Sequence, residues 1–106
     1  MTRTEYDVVA LGELLIDFTA QGAGADGYPL MAAHPGGAPA NFLAVIARLG
    51  GRTALLSKVG ADAFGTMLTG TLRAVGVDTR GVVVVEDAFT TLAFVTLDTH
   101  GERSFS

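Results

Sequence analysis

The chain has 106 residues, of which 49% are hydrophobic and 17% charged, and a net charge of −4. Such a length makes one small domain or part of a larger one, and so apolar a composition implies that some nonpolar surface lies against further chain or a partner. The acidic balance argues against nucleic acid, and the absence of cysteine excludes disulfides and thiolate zinc sites.

The first residues lead into an apolar run interrupted by Glu13 and Asp17, which is no signal-peptide core, so the cytoplasm is the default compartment. Asp7 to Phe18 reads as one strand buried on both faces, central in an α/β sheet, with Asp17 near its carboxyl end. Phe18 to Gln21 and Leu30 to Ala33 read as short strands flanking a glycine-rich loop, a hairpin-like excursion. That loop, Gly22 to Gly27, matches G-x-G-x-x-G. It is followed by Tyr28-Pro29 rather than a helix, and the next acidic residue after Asp26 is Asp62, so a dinucleotide role is rejected. The interval from Gly27 to Ala47 is free of Asp, Glu, Lys and Arg but holds all 3 prolines and a Gly-Gly pair, which excludes a membrane helix.

A first helix follows Pro39, with Phe42, Val45, Ile46 and Leu49 at core-facing spacing and Gly50 at its end. Thr53 to Val59 reads as a strand. Asp62 then caps a second helix that carries Phe64, Met67, Leu68, Leu72 and Val75 on one face and stops at Gly76. Strand, helix, strand, helix predicts a right-handed parallel α/β layer. Beyond Gly81, Val82 to Val85 and Thr90 to Leu97 read as a hairpin turning at Glu86-Asp87-Ala88. A further turn at Asp98 to Gly101 precedes a strand starting at Arg103. The sequence stops inside that strand, and the chain is read as the N-terminal part of a longer protein.

The candidate site gathers around Pro35-Gly36-Gly37-Ala38-Pro39-Ala40-Asn41. Bare glycine backbone next to a helix start offers N–H donors and a positive dipole end, which suit hydroxyls or anions. Asn41 is a poor helix former, better explained if its amide has a partner, although a plain glycine turn with a tolerated Asn fits the same letters. Asp17 reads equally as a turn carboxylate or as an acceptor for vicinal sugar hydroxyls at a strand end. The 2 histidines, His34 and His100, lack metal-ligand spacing and read as surface residues, and no metal site is expected. No G-x-S-x-G supports a serine nucleophile.

Together, Gly36 to Asn41, Lys58-Val59-Gly60-Ala61-Asp62-Ala63-Phe64-Gly65, Gly12 to Asp17, Gly76 to Thr79 and Thr90 to Val95 resemble the N-terminal half of a ribokinase-like (PfkB-type) carbohydrate kinase. Gly101 to Ser106 is similar to the fructokinase branch. The resemblance implies a three-layer α/β/α sandwich, incomplete here, with a small β-sheet lid. Residues 7–17 and 37–81 would form the α/β core, and 18–36 and 82–106 the lid strands. It further implies a sugar substrate bound by Asp17, Gly36, Gly37 and Asn41, one face of the Leu92 to Leu97 strand covering the ring with Phe94 as its apolar contact, and dimerisation through the lid. The family's catalytic Asp, in a Gly-Ala-Gly-Asp motif, and its ATP site lie in a later segment. ATP and Mg²⁺ are therefore expected for the full-length enzyme and no tight cofactor binding for this chain, which would be inactive alone. A non-catalytic sugar-binding or oligomerisation module, and a kinase for keto-deoxygluconate, ribose or a nucleoside, stay open beside fructokinase.

Overall fold

The computed structural model describes residues 5–97 and 103–105. The elements run β1 (Val8–Leu11), β2 (Leu15–Ala23), β3 (Pro29–Gly36), α1 (Ala38–Arg48), β4 (Thr53–Gly60), α2 (Ala63–Ala74), β5 (Val77–Asp78), β6 (Val82–Val85), β7 (Thr91–Leu97) and β8 (Arg103–Phe105). The turn expected at 98–101, with His100, and Ser106 lie outside the described residues. No helix among the described residues is long and apolar enough to cross a membrane.

Two sheets organise the chain. In the first, β4 pairs in parallel with β1 along Val8↔Thr53 to Leu11↔Leu56. It also pairs in parallel with β5 through Thr53↔Val77 and with β6 through Ser57↔Val82 to Gly60↔Val85. The second sheet has the order β3-β2-β7-β8. Extents of 62 × 32 × 22 Å reflect this side-by-side placement of an α/β layer and a lid sheet.

Three expectations are corrected here. The apolar run from Asp7 to Phe18 is not one strand. It breaks after Leu11, and β2 begins at Leu15 in the other sheet, so Asp17 is an interior residue of β2. Val82 to Val85 does not pair with β7 as a hairpin. It joins β4 as the continuation of β5 across the Thr79–Gly81 interruption, where Ser57 N–H donates to Gly81 O at 3.2 Å. A run of four valines suits a parallel core strand as well as a hairpin arm, and the pairing decides between them. The hairpin of β2 and β3 does form, antiparallel from Leu15↔Gly36 to Ala20↔Met31, and longer than expected.

The third correction concerns α1. Its buried residues are Ala40 and Leu43, with Ala47 packed beside them, whereas Phe42, Val45 and Leu49 are exposed. Small side chains at 40 and 47 let the helix backbone approach the sheet, so the packed face is narrower than the apolar face. α2 follows expectation more closely: Gly65, Leu68 and Leu72 are buried and Phe64 and Val75 partly so, with Met67 at the exposed margin. The shared core is Leu14, Ile16, Leu43, Leu55 and Leu68, all essentially without solvent contact. Each such side chain stabilises by about 1.5–3 kcal/mol through burial.

Both helices cover one face of the parallel sheet. On the other, Val9, Leu11, Leu56 and Val83 are exposed, Leu11 at 80%. Parallel sheets are normally covered on both faces, so this face is that of a sandwich lacking one layer.

Candidate substrate site at the glycine turn

β3 ends at Gly36 and α1 starts at Ala38, so Gly37 makes the corner and serves as the helix N-cap. Its φ of 107° and ψ of 121° lie where only glycine is at ease. A Cβ there would also stand 2.3 Å from the Glu13 carbonyl oxygen. No side chain caps this helix. Pro39 removes one of the orphan donors, and Asn41 N–H closes the first helical bond on Gly37 O at 3.1 Å.

Asp17 sits against this corner although it is distant in sequence. A Cβ on Gly36 would lie 2.3 Å from Asp17 Oδ2 and 3.0 Å from Leu15 Cδ1. The missing side chain is therefore what admits the carboxylate. Asp17 faces His34 across β3 and Ala93 across β7. Asn41 is exposed, one helical turn from the corner, and lines a cleft of about 360 Å³ with Gly36, Ala40, Val45, Arg48 and Leu72. The structure thus brings together Asp17, Gly36, Gly37 and the first turn carrying Asn41.

Phe94 stands apart from this group. The register Asp17↔Ala93 and Phe18↔Phe94 puts Phe94 on the sheet face opposite Asp17. There it stacks on Phe18 at 5.3 Å, and Phe18 meets Phe64 of α2 edge-on at 5.4 Å. The strand face shared with Asp17 belongs to Ala93 and the buried Val95. Alternation alone allows either face, and here the aromatic residue completes a ring cluster on the core side. His34 was expected at the surface. It is an exposed strand residue directly across from Asp17, a neighbour that only the hairpin register reveals.

A larger cavity of about 600 Å³, lined by Leu11, Gly12, Glu13, Leu56, Lys58 and Phe89 among others, opens at the carboxyl ends of β1 and β4. Neither it nor the smaller cleft is lined by Asp17 or Phe94. Leu11, Leu56 and Val83 of the uncovered sheet face form one wall, and the loop residues Gly12, Glu13 and Phe89 form another. No group of three or more metal-type ligands occurs among the described residues.

The pattern of the pfkB family carbohydrate kinases matches residues 6–106. Fructokinase-1 of Oryza sativa subsp. japonica is 51% identical over 100 residues, which cover 92% of this chain and 31% of the rice protein. The crystal structure of fructokinase from Xylella fastidiosa superposes with a TM-score of 0.86 at 44% identity, covering 93% of this chain and 31% of that one. The same Xylella enzyme with bound ATP gives 0.85 at 42% identity, with coverage of 93% and 31%. The chain therefore spans about three tenths of the length of these relatives. Two parallel-sheet crossovers and a lid sheet agree with that match, and the chain belongs to the pfkB family of carbohydrate kinases, of which it forms an N-terminal portion with a ribokinase-like fold.

Proposed function

We propose that this chain supplies the sugar-binding half of an ATP-dependent carbohydrate kinase, with fructose as the sugar. The observation that carries the reading is the Asp17 carboxylate seated on Gly36, beside the positive-φ Gly37 that opens α1. A carboxylate accepts two O–H donors in charge-assisted geometry, which suits vicinal hydroxyls. The Asn41 amide offers one acceptor and two donors, and the start of α1 adds a dipole end. The face of Ala93 and Val95 supplies the apolar side of the ring site. Phosphoryl transfer needs, in addition, a base for the sugar hydroxyl, a held nucleotide and Mg²⁺ on its phosphates. In the proposed enzyme these come from a segment beyond the present residues, and its helices complete the open sheet face. The choice of fructose rests on the names of the similar proteins.

Calorimetric titration of the chain with fructose, ribose and adenosine tests this. Fructose binds best, Asp17→Asn and Asn41→Ala each weaken it about tenfold or more, and the chain with ATP and Mg²⁺ gives no turnover in a coupled assay. Unchanged affinity in both variants would remove the site assignment, and measurable turnover would remove the half-enzyme reading.

A further inference from the structure

Asp62 was legible as a helix cap, and it does cap α2: its Oδ1 accepts from Gly65 N–H at 2.8 Å. The same carboxylate reaches beyond the helix. Oδ1 also accepts from the Thr90 hydroxyl at 2.7 Å, and Oδ2 from the Thr90 N–H at 2.9 Å. The Thr90 hydroxyl oxygen in turn accepts from Gly60 N–H at 3.0 Å, so the hydroxyl both donates and accepts inside the knot. Thr90 is only 3% exposed.

These bonds tie three elements at one point: the end of β4, the start of α2 and the residue just before β7. The knot has no slack. A Cβ on Gly60 would stand 2.6 Å from Ala88 O, Asp62 Oδ2 and Thr90 N alike, and one on Gly65 would stand 2.3 Å from Gly60 O. Because β7 pairs with β2 from Leu15↔Thr91 onward, Thr90 is the residue at which the chain leaves the knot and enters the ladder that sets Ala93 across from Asp17. Phe18 of the lid sheet also meets Phe64 of α2 through an apolar ring contact, which is less directional than the hydrogen bonds at Thr90.

We propose that Asp62 and Thr90 are positioning residues: they fasten the lid sheet to the α/β layer and so hold Ala93 beside Asp17. The consequence for sugar binding rests on the function proposed above, whereas the fastening itself does not.

Amide hydrogen exchange on the whole chain tests the fastening. Thr90→Val keeps shape and removes the hydroxyl. Asp62→Asn keeps an oxygen for Gly65 N–H, so the α2 cap persists, but turns an amide NH₂ toward the Thr90 N–H. In both variants β7 amides should exchange about tenfold faster relative to those of β4, and Thr90→Ser should restore the native ratio to within about twofold. Equal acceleration of β4 and β7 would mean that the knot is ordinary stability, and an unchanged β7 would mean that it fastens nothing. Either result overturns the proposal. Asn41→Ala serves as the control, since it should weaken fructose while leaving β7 exchange native. A failure of the sugar reading would thus appear there alone.

Discussion

Adding one methyl group at each of two adjacent glycines should have opposite consequences. In Gly37→Ala the new Cβ meets a backbone atom, Glu13 O, at 2.3 Å, with Glu13 C at 3.2 Å and Leu14 Cα at 3.4 Å behind it. No side chain can swing away, so the β1–β2 connection or the start of α1 must move, at about 1–3 kcal/mol. The residue must also hold φ 107°, which adds about 1–3 kcal/mol for a residue with a Cβ. A loss of about 4 kcal/mol is a large part of the roughly 5–15 kcal/mol available to a chain of this size. In Gly36→Ala the clash is with the Asp17 carboxylate at 2.3 Å and the tip of Leu15 at 3.0 Å, both ends of flexible side chains. That substitution should cost only about 1 kcal/mol, yet it drives the carboxylate out of its seat and should weaken fructose as much as Asp17→Asn does. Urea unfolding measures the first quantity at constant m-value, and calorimetry the second. If Gly37→Ala unfolded within about 1 kcal/mol of the parent, or Gly36→Ala were the more destabilising, the steric reasoning would be refuted.

Two further outcomes follow from polar groups away from the corner. Three carboxylates titrate below the usual value of 3.8: Asp78, bonded by Arg80 and by the Tyr6 hydroxyl; Asp62, bonded by Thr90 and Gly65; and Asp7, bonded by the Arg52 N–H and guanidinium. Groups held ionised in the fold stabilise it above their unfolded pKa, so the urea midpoint should be flat from about pH 7 to 5 and fall steadily below about pH 4. Tyr6, whose phenol is raised above 10.0 chiefly by its bond to Asp78, should add a loss on the alkaline side as pH rises through its folded value. A midpoint that stayed constant down to pH 2.5 would contradict these bonds. Separately, the Thr53 hydroxyl is buried at the start of β4 without a hydrogen-bond partner. Thr53→Val keeps the shape and removes that unsatisfied group, so thermal unfolding should show a gain of about 1 kcal/mol, and a loss would reveal a hidden partner.

Local physics was readable wherever it is local. The Asp62 cap, the glycine stops at Gly50 and Gly76 with φ of 94° and 96°, and the period of α2 all appear where their letters put them. So does the glycine corner, because Gly37, Pro39 and the helix start are contiguous. α1 shows the limit of that reading. Its apolar stripe was visible, but the stripe is wider than the packed face, and only the sheet beneath it selects Ala40, Leu43 and Ala47 over Phe42 and Val45.

The candidate site divides along the same line. Local chemistry was enough to put Gly36, Gly37 and Asn41 together, since a strand end, a turn and a first helical turn need no distant partner. It also determined that Asp17 lies on a strand. Tertiary structure alone decided that this strand belongs to the lid sheet, that Gly36 seats the Asp17 carboxylate, that His34 and Ala93 flank it, and that Phe94 turns away. The physical reason is register. A β-strand repeats every two residues, so its letters allow two faces and several partners equally well, and a pairing with residues nearly 80 positions away chooses among them. The bond from Asp62 to Thr90 is of the same kind: one end was legible as a helix cap, and the other exists only once the lid strand returns to it.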